Sequence, residues 1–482
     1  MSAGSAYTVN RSTVARLALI TFIFGAVFLS LPHAPSYDSI RHYASSAAHP
    51  SQTPQPPEAA PQHPQDVVPM IPSFYDACVK APDADKVLVM LKTGATELYQ
   101  KLPTHFVTTF TCTPHFLLFS DLAQNFADYL VHDALASVSA SYRDNHVDFE
   151  LYRKLEKYQR EGQDLAQLSG GGGWNLDKWK FLPMLFQAFE SAGPQIEWFF
   201  MMEADTSVSW PNLLLYLRTM DPRKPFYLGS QNVIGSTTFA HGGSGVVISR
   251  KAADLMLAHR AEVGKQAYDA KWEEMTSTSC CGDEVIARAL SEAGVDLTPS
   301  WPLIQGETVS SIDWTEKHWC SPAITWHHVS PIEVDSMFRF QAEWVEDHGW
   351  ETPFLHSDVF EHFIARHVSV NRTQWNNLSK DTKLVSPSMS QNGDKEFSEM
   401  EDYERAAVDS EEACAAACEK SGECIQWMFT PGRCYLGNDI RFGKSDEVEG
   451  GDGDHWVSGW SQERMNAFKK RMEGCKVNWG RD

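Results

Sequence analysis

The stretch WFFMMEADT, residues 198–206, is a continuous apolar run that ends in two carboxylates. An apolar run of this length is typical of a strand that is buried on both faces. Glu203 and Asp205 follow it directly, two positions apart. Because ligands bind at the carboxyl ends of strands in parallel sheets, this pair lies where a ligand or a metal ion would be held. For the pair alone, a strand that simply ends in acidic loop residues is an equally good explanation.

The segments before residue 198 predict the class of fold. Apolar runs at 86–94 (KVLVMLKTG) and 115–121 (HFLLFSD) predict two further strands. Leucines and other apolar residues at helical spacing predict helices at 148–168 and 176–191. Strands that alternate with helices predict an α/β protein with a mostly parallel sheet and helices on both faces.

A glycine-rich turn follows the acidic pair. The segment FAHGGSGVVISRKAADLM, residues 239–256, predicts a loop that opens into a strand and a helix, with Ser249 as the N-cap. Gly242, Gly243 and Gly245 permit positive φ and a close approach of the backbone to a ligand. A glycine turn by itself is a weak signal.

A second acidic pair begins a predicted helix. In CCGDEVIARALSEAG, residues 280–294, Asp283 and Glu284 lie in the first helical turn. Acidic side chains there stabilise the helix dipole, which explains them without any function. The alternative is that one carboxylate acts as a general base at the rim of a pocket.

Taken in order, these segments resemble the Fringe and core 1 galactosyltransferase group, glycosyltransferase family 31, and most closely its fungal members. The matching motifs are VLVMLKTG, WFFMMEADT, FAHGGSGVVISR, CGDEVIARAL and CSPAITWHHVSP, spread over about residues 86–344. The resemblance implies a GT-A (Rossmann-like) fold with a mostly parallel mixed sheet. It also implies a UDP-sugar donor, Mn²⁺ or Mg²⁺ as cofactor, and inverting transfer to a hydroxyl of a glycan or glycoprotein, in β1,3 linkage.

The resemblance carries roles for the donor site. Asp205 matches the metal ligand, and Glu203 would face the ribose or the metal ion. Asp121 matches an acid near the nucleotide base. His327, in the last motif, is a candidate second metal ligand, although a histidine beside a tryptophan is more often packed in a core. The backbone positions expected to approach the donor are Gly242, Gly243 and Gly245.

Asp283 matches the catalytic base, with Glu284 as the fallback because a shift of one residue would exchange them. The motif departs from the family in reading Glu-Ala-Asp, and residues 299–307 (PSWPLIQGE) lack the histidines of Fringe. Gln305, Glu307, His327 or water would then complete the metal site. These departures leave open a non-catalytic relative that binds sugar or UDP.

The C-terminal part predicts a separate small domain. We expect a GT-A domain at 73–385, a polar linker at 386–400 and a disulfide-rich α+β domain at 401–482, which resembles a PAN/apple-like module. A zinc site is the rival explanation of its cysteines. If the function lay in this module, the protein would be an adhesion or scaffold protein.

The ten cysteines divide five and five between the two regions, at 78, 112, 280, 281 and 320, and at 414, 418, 424, 434 and 475. An odd number on each side leaves either a free thiol in each region or one bridge between the regions, for which Cys475 is one candidate. Two glycosylation sequons, at Asn371 and Asn377, are expected in a surface loop.

The N-terminal part predicts a membrane anchor. Residues 17–31 are apolar and follow Arg11 and Arg16, which favours an uncleaved signal-anchor at 14–32 with a cytoplasmic tail at 1–13. Residues 33–72 are rich in proline and predict an extended stem. This is the layout of a single-pass type II protein of the Golgi or ER membrane with a lumenal catalytic domain; a cleaved signal peptide would instead give a secreted protein.

The charge excludes one class of partner. The 482 residues include 41 Lys and Arg against 63 Asp and Glu, for a formal net charge of −22. Affinity for nucleic acid comes from the neutralisation of phosphates by Lys and Arg, so we expect no nucleic-acid partner. A metal cation could still allow a small anionic ligand to bind.

Overall fold

The computed structural model describes residues 72–446 and 455–480. The predicted cytoplasmic tail, signal-anchor and all but the last residue of the predicted stem lie outside these described residues. In the part of the chain that is described, no helix is long and apolar enough to cross a membrane. The described residues all belong to one compact unit.

The strands are, in chain order, β1 (Val87–Lys92), β2 (His115–Ser120), β3 (Gln124–Phe126), β4 (Tyr129–Asp133), β5 (Trp198–Glu203), β6 (Ser207–Val208), β7 (Tyr227–Gly229), β8 (Gln231–Ile234), β9 (Thr237–Ala240), β10 (Val246–Ser249), β11 (Leu297–Pro299), β12 (Thr325–Trp326), β13 (Asn371–Thr373), β14 (Trp375–Asn376), β15 (Thr382–Val385), β16 (Gln426–Thr430), β17 (Arg433–Gly437), β18 (Lys444–Ser445) and β19 (Val457–Trp460).

The helices are α1 (Pro72–Cys78), α2 (Leu98–Val107), α3 (Thr109–Cys112), α4 (Ala140–Asn145), α5 (Glu150–Arg160), α6 (Gly173–Asp177), α7 (Phe181–Ser191), α8 (Trp210–Arg218), α9 (Arg250–Val263), α10 (Lys265–Thr278), α11 (Gly282–Glu292), α12 (Glu316–Trp319), α13 (Pro331–His348), α14 (His356–Phe363), α15 (Asp402–Ala406), α16 (Glu411–Lys420) and α17 (Gln462–Arg471).

The larger sheet has eight strands in the order β11-β7-β10-β5-β1-β2-β4-β3. The strand β1 is parallel to β2 and β5, β4 is parallel to β2, and β11 is parallel to β7, whereas β10 and β3 run antiparallel to their neighbours. This mixed, mostly parallel sheet with its covering helices confirms the predicted α/β, GT-A-like fold class.

The central strands are apolar throughout because both of their faces are covered. Along β1, Val89 and Leu91 pack with Phe200 on one face of the sheet, and Leu88 and Met90 pack on the other. Helices α2, α8 and α13 contribute to the first core, and helices α7, α9 and α11 contribute to the second. Such two-sided burial is what removes the alternation of apolar and polar residues from these strands.

Two predicted helices are shorter than the sequence pattern indicated. The helix expected at 148–168 ends at Arg160, and Gly162 then has a φ of +66°, which glycine adopts readily. The helix expected at 176–191 is divided into α6 and α7 by a turn at residues 178–180. Ser249 is the N-cap of α9, as predicted, since its hydroxyl accepts a hydrogen bond from the amide of Ala252 at 3.2 Å.

The smaller sheet has five strands in the order β13-β19-β16-β17-β15, and all of its pairings are antiparallel. Helix α16 packs on it through Cys414 and Cys418, which form disulfides with Cys434 and Cys424 respectively. Disulfides, not zinc, therefore account for these four cysteines. The sheet includes β13 and β15, which precede the predicted linker at 386–400. The predicted division into domains stays a prediction.

The two regions are joined covalently and by a buried ion network. Cys320 and Cys475 form a disulfide, which realises the predicted alternative of one bridge between the regions. The guanidinium of Arg441, whose side chain is 1% exposed, lies 2.5 Å from a carboxylate oxygen of Asp313 and 2.9 Å from one of Asp381. The ten cysteines, all within the described residues, are paired, the other two bridges being Cys78–Cys112 and Cys280–Cys281.

The two sequons have different environments. Asn371 is exposed on β13, which is an edge strand, whereas Asn377 is fully buried. The side-chain amide of Asn377 donates hydrogen bonds to the carbonyl oxygens of Trp427 and Gly459, at 3.0 and 3.4 Å. A glycan would replace one of the two hydrogens on that nitrogen, so a hydrogen bond would be lost, and the buried position has no space for a sugar.

We therefore predict that glycan occupies Asn371 and not Asn377 when the protein is made in a secretory pathway. Asn371→Gln removes one glycan mass with little change in stability, because the residue is exposed. Asn377→Gln leaves the glycan mass unchanged and destabilises the fold by about 1–3 kcal/mol, since buried hydrogen bonds are lost. Peptide mapping by mass spectrometry measures occupancy, and a glycosylated Asn377 in folded protein would contradict the prediction.

Candidate functional site

A cavity of about 520 Å³ opens at one edge of the eight-stranded sheet. The parallel strands β1, β2 and β5 all end there, and they place Lys92, Asp121 and Glu203 in its wall. Because β10 is antiparallel to β5, the glycine loop that precedes β10 reaches the same edge. The topology thus brings together segments that lie far apart in the sequence, as the sheet rule predicts.

Asp205 lies in this cavity beside two consecutive histidines. Ligand atoms of Asp205, His327 and His328 all lie within 4.8 Å of one another. The Nε2 atom of His327 is 3.5 Å from Oδ1 of Asp205 and 3.9 Å from Oε2 of Glu203. The structure thus brings together the two predicted metal ligands and adds His328, which the sequence analysis missed although the adjacent pair of histidines was visible.

The histidine pair has features that favour a ligand role. The Nδ1 atom of His327 is buried without a hydrogen-bond partner in the structure. His328 has a φ of +58°, which is uncommon for any residue other than glycine and is often found at functional sites. One carboxylate with two imidazoles suits a first-row divalent ion such as Mn²⁺ better than Mg²⁺, which prefers oxygen. The residues present therefore fit the expected cofactor.

Asp205 is held as a carboxylate. Burial alone would raise its pKa, but a hydrogen bond from His327 and the charge of Lys101 hold the pKa far below its usual range. The Nζ atom of Lys101 is 3.2 Å from Oδ2 of Asp205. Behind the motif, Nε2 of the buried His105 lies 2.9 Å from the carbonyl oxygen of Ala204 and positions the backbone between the two acids.

A buried ion network forms the adjoining part of the cavity wall. Lys92 and Lys180 are each 2% exposed, and both contact the carboxylate of Asp177. Lys92 also lies 3.0 Å from Glu203, and Lys180 lies 3.5 Å from Asp121. The two acids expected to bind the nucleotide are therefore paired with buried cations.

The two lysines also set the charge of Asp177. Burial would raise its pKa, but the charges of Lys92 and Lys180 lower the pKa to about 2. The sequence analysis missed all three residues. For Asp177 and Lys180 the signal was present in WNLDKWKF, residues 174–181, where charged residues interrupt an apolar pattern at a helix junction, and Lys92 follows the apolar run VLVML, residues 87–91.

The structure separates the roles open to Asp283 and Glu284. Asp283 lines the cavity, and its carboxylate accepts hydrogen bonds from the amides of Gly242 and Glu284, at 3.0 and 2.9 Å. Burial raises the pKa of Asp283. Glu284 is not among the residues that line the cavity, since its carboxylate binds Arg288 at 2.7 Å and Ser279 at 2.8 Å.

The glycines let the backbone approach the residues of the site. A Cβ atom on Gly243 would lie 2.2 Å from the ring of His327, so this position has no space for a side chain. Gly245 has a φ of +97°, and Gly242 provides the amide that binds Asp283. Of the three, Gly243 lines the cavity itself.

Two predicted substitutes for the missing histidines lie elsewhere. The amide of Gln305 donates to the carbonyl oxygens of Glu307 and Thr325, and the carboxylate of Glu307 accepts from Ser311 at 2.6 Å. Both residues line a neighbouring cleft and not the cavity of Asp205. The vicinal disulfide Cys280–Cys281 lies in the cavity wall, directly before the helix of Asp283.

Part of the chain matches a known protein family. Residues 181–300 match a family model described as Fringe-like. The match includes β5 with its acidic pair, the glycine loop and the beginning of α11, and so supports a Fringe-like, glycosyltransferase-related origin for this part of the chain. A comparison with curated proteins gave no match.

We predict that Lys92 is required for the stability of the cavity wall. Lys92→Met leaves Asp177 and Glu203, which are partly exposed, with one counter-charge fewer, and we expect a loss of about 1–3 kcal/mol. Lys154→Met is the matched control, because Lys154 pairs with Glu150 on the exposed surface and its loss has little effect on stability. Chemical denaturation measures both, and equal effects of the two substitutions would refute the network.

Proposed function

We propose that this protein is a metal-dependent inverting glycosyltransferase, which moves a sugar from a UDP-sugar to a hydroxyl of a glycan or glycoprotein. One observation carries the proposal. A single cavity contains a carboxylate–imidazole cluster at Asp205, buried lysines, and a separate carboxylate, Asp283, whose pKa is raised. The Fringe-like match of residues 181–300 supports the same class of enzyme.

The metal ion, Mn²⁺ or Mg²⁺, would be held by Asp205, His327 and His328, with Glu203 close by. When bound, such an ion stabilises negative charge on the diphosphate that departs. The lysines of the cavity supply further positive charge, from Lys101 near the cluster and from the pair of Lys92 and Lys180. These lysines offset part of the charge of the six carboxylates that line the cavity, and the metal ion would supply the positive charge that a nucleotide diphosphate requires.

Asp283 would act as the base that accepts the proton of the acceptor hydroxyl. Two backbone amides hold its carboxylate in place. Its raised pKa lies closer to the pH at which the enzyme works, which makes it a better proton acceptor. Glu284 would support the first turn of α11, since it pairs with Arg288 of the same helix and accepts a hydrogen bond from Ser279, which precedes the helix. Inversion needs the base and the leaving group on opposite sides of the sugar, which is consistent with their placement on different elements, α11 and the end of β5.

The finer assignments rest on the resemblance. We propose β1,3 linkage and a type II location in the Golgi or ER membrane. One observation favours the alternative of a non-catalytic relative, namely that Lys101 already neutralises Asp205 at 3.2 Å. A UDP-binding protein without turnover would result if this ion pair excluded the metal ion.

The first test measures donor binding and turnover by the full chain. UDP with Mn²⁺ raises the melting temperature, and EDTA removes the effect. Asp205→Ala abolishes the shift, whereas Asp283→Asn keeps it and lowers transfer and hydrolysis of the donor at least 100-fold. Asp221→Asn is the exposed control and changes neither. Turnover that survives both Asp205→Ala and Asp283→Asn would overturn the site, and UDP binding without any turnover would favour the alternative.

The second test is the pH dependence of kcat/KM. Asp283 must be ionised to act as a base, so kcat/KM falls as the pH falls through the pKa of Asp283. Burial raises this pKa, so the acidic limb of the pH profile lies above the usual pKa of an aspartate carboxyl. Glu284→Gln leaves the limb in place, because that side chain does not face the cavity. A limb that moves with Glu284→Gln would transfer the role of base to Glu284.

A further inference from the structure

A second and larger space lies beside the cavity of the candidate site. It is a cleft of about 1380 Å³ between the region of the eight-stranded sheet and the smaller sheet. Gln231 and Asn232 of β8 and the ring of Trp301 line one side, and Tyr435 of β17 and Lys383 of β15 line the other. Pockets for small ligands commonly enclose about 300–1,000 Å³, so this cleft has room for an extended molecule.

The cleft meets the candidate site at His241, which lines both spaces. The ring of His241 is 5.3 Å from that of His327, and the next residue, Gly242, donates its amide to Asp283. An extended molecule in the cleft would therefore have one end beside the proposed base. The other end would lie against the smaller sheet.

The walls of the cleft are fixed relative to one another. The disulfide Cys320–Cys475 joins the regions, and the buried Arg441 binds Asp313 on one side and Asp381 on the other. Such a preformed cleft loses little freedom when a ligand binds, which favours recognition of a flexible chain.

The charges of the cleft favour an uncharged occupant. Its described lining holds four acidic and four basic side chains. They largely neutralise one another, as in the pairs of Arg471 with Glu316 at 2.9 Å and of Lys380 with Asp313 at 3.3 Å. What remains is a set of amides and hydroxyls with the half-buried aromatic rings of Trp301 and Tyr435. Hydrogen-bonding groups beside aromatic faces match the hydroxyls and the apolar faces of sugar rings.

We propose that this cleft binds the acceptor as a neutral oligosaccharide, with the reacting hydroxyl at the end near His241 and Asp283, and that the C-terminal sheet supplies the distant subsites. The proposal rests on the proposed function. It gives the C-terminal region a direct part in the choice of acceptor, through Tyr435 and its neighbours.

The test uses the full chain on an array of neutral oligosaccharides, with sialylated and sulfated oligosaccharides and unglycosylated peptides as further arms. We expect the full chain to bind neutral oligosaccharides. Tyr435→Ala and Asn232→Ala, at residues on opposite walls of the cleft, weaken this binding at least tenfold relative to the affinity for UDP. Tyr403→Ala is the matched control in the same region, since Lys420 lies over its ring at 4.7 Å as Lys383 lies over Tyr435 at 5.6 Å. Thermal unfolding verifies that each variant is folded.

The outcomes separate the two proposals. Oligosaccharide binding that depends on Tyr435 and Asn232, with no binding of UDP and Mn²⁺, would support the cleft and reject the donor site. Binding of UDP and Mn²⁺ with no oligosaccharide bound, or with binding unaffected by both substitutions, would reject the cleft. Binding confined to anionic glycans or to peptides would also overturn it.

Discussion

The ion network around Lys92 is the constraint on which the site depends. A buried ammonium is tolerated in a protein interior only if carboxylates compensate for the water that it has lost. Lys92 finds them in Asp177, which precedes α7, and in Glu203, which ends β5. This requirement ties three elements together at the edge of the sheet, and Lys180 extends the network to Asp121. On this side of the cavity, the carboxylates of Asp121, Asp177 and Glu203 match the charges of the two buried lysines.

The environments of two aspartates differ in a way that divides the chemistry between them. Asp205 is surrounded by His327 and Lys101, which favour its ionised form. Asp283 is buried with backbone amides as its partners, and the loss of water outweighs their effect and raises its pKa. Carboxylates whose environments push their pKa values apart are a general mark of sites that need an electrostatic group and a proton acceptor together.

A buried charge holds the smaller sheet in place, as a buried charge also holds the wall of the candidate site together. Arg441 is nearly inaccessible to solvent and its partners come from both regions, so Asp313 contributes to the compensation of its charge only when the two sheets hold their observed orientation. The disulfide of Cys320 with Cys475 adds a covalent restraint at a separate point. A cleft between two regions that are fixed in this way is a permanent surface of the protein.

By itself, the sequence determined the central strands, the first turn of α11 and the position of Asp205 at the end of a strand. These features follow from local patterns of apolar and polar residues, since a run such as WFFMM has to be buried wherever it lies. The tertiary structure alone decided that Lys92 meets Asp177, 85 residues away, that Asp283 and not Glu284 faces the cavity, and that Asn377 is buried. It also decided the pairing of the cysteines and the approach of His328 to Asp205. Such contacts depend on the order and direction of the strands in the sheet. A local sequence pattern does not show which distant charged groups this topology brings together, or the free energy of burying them.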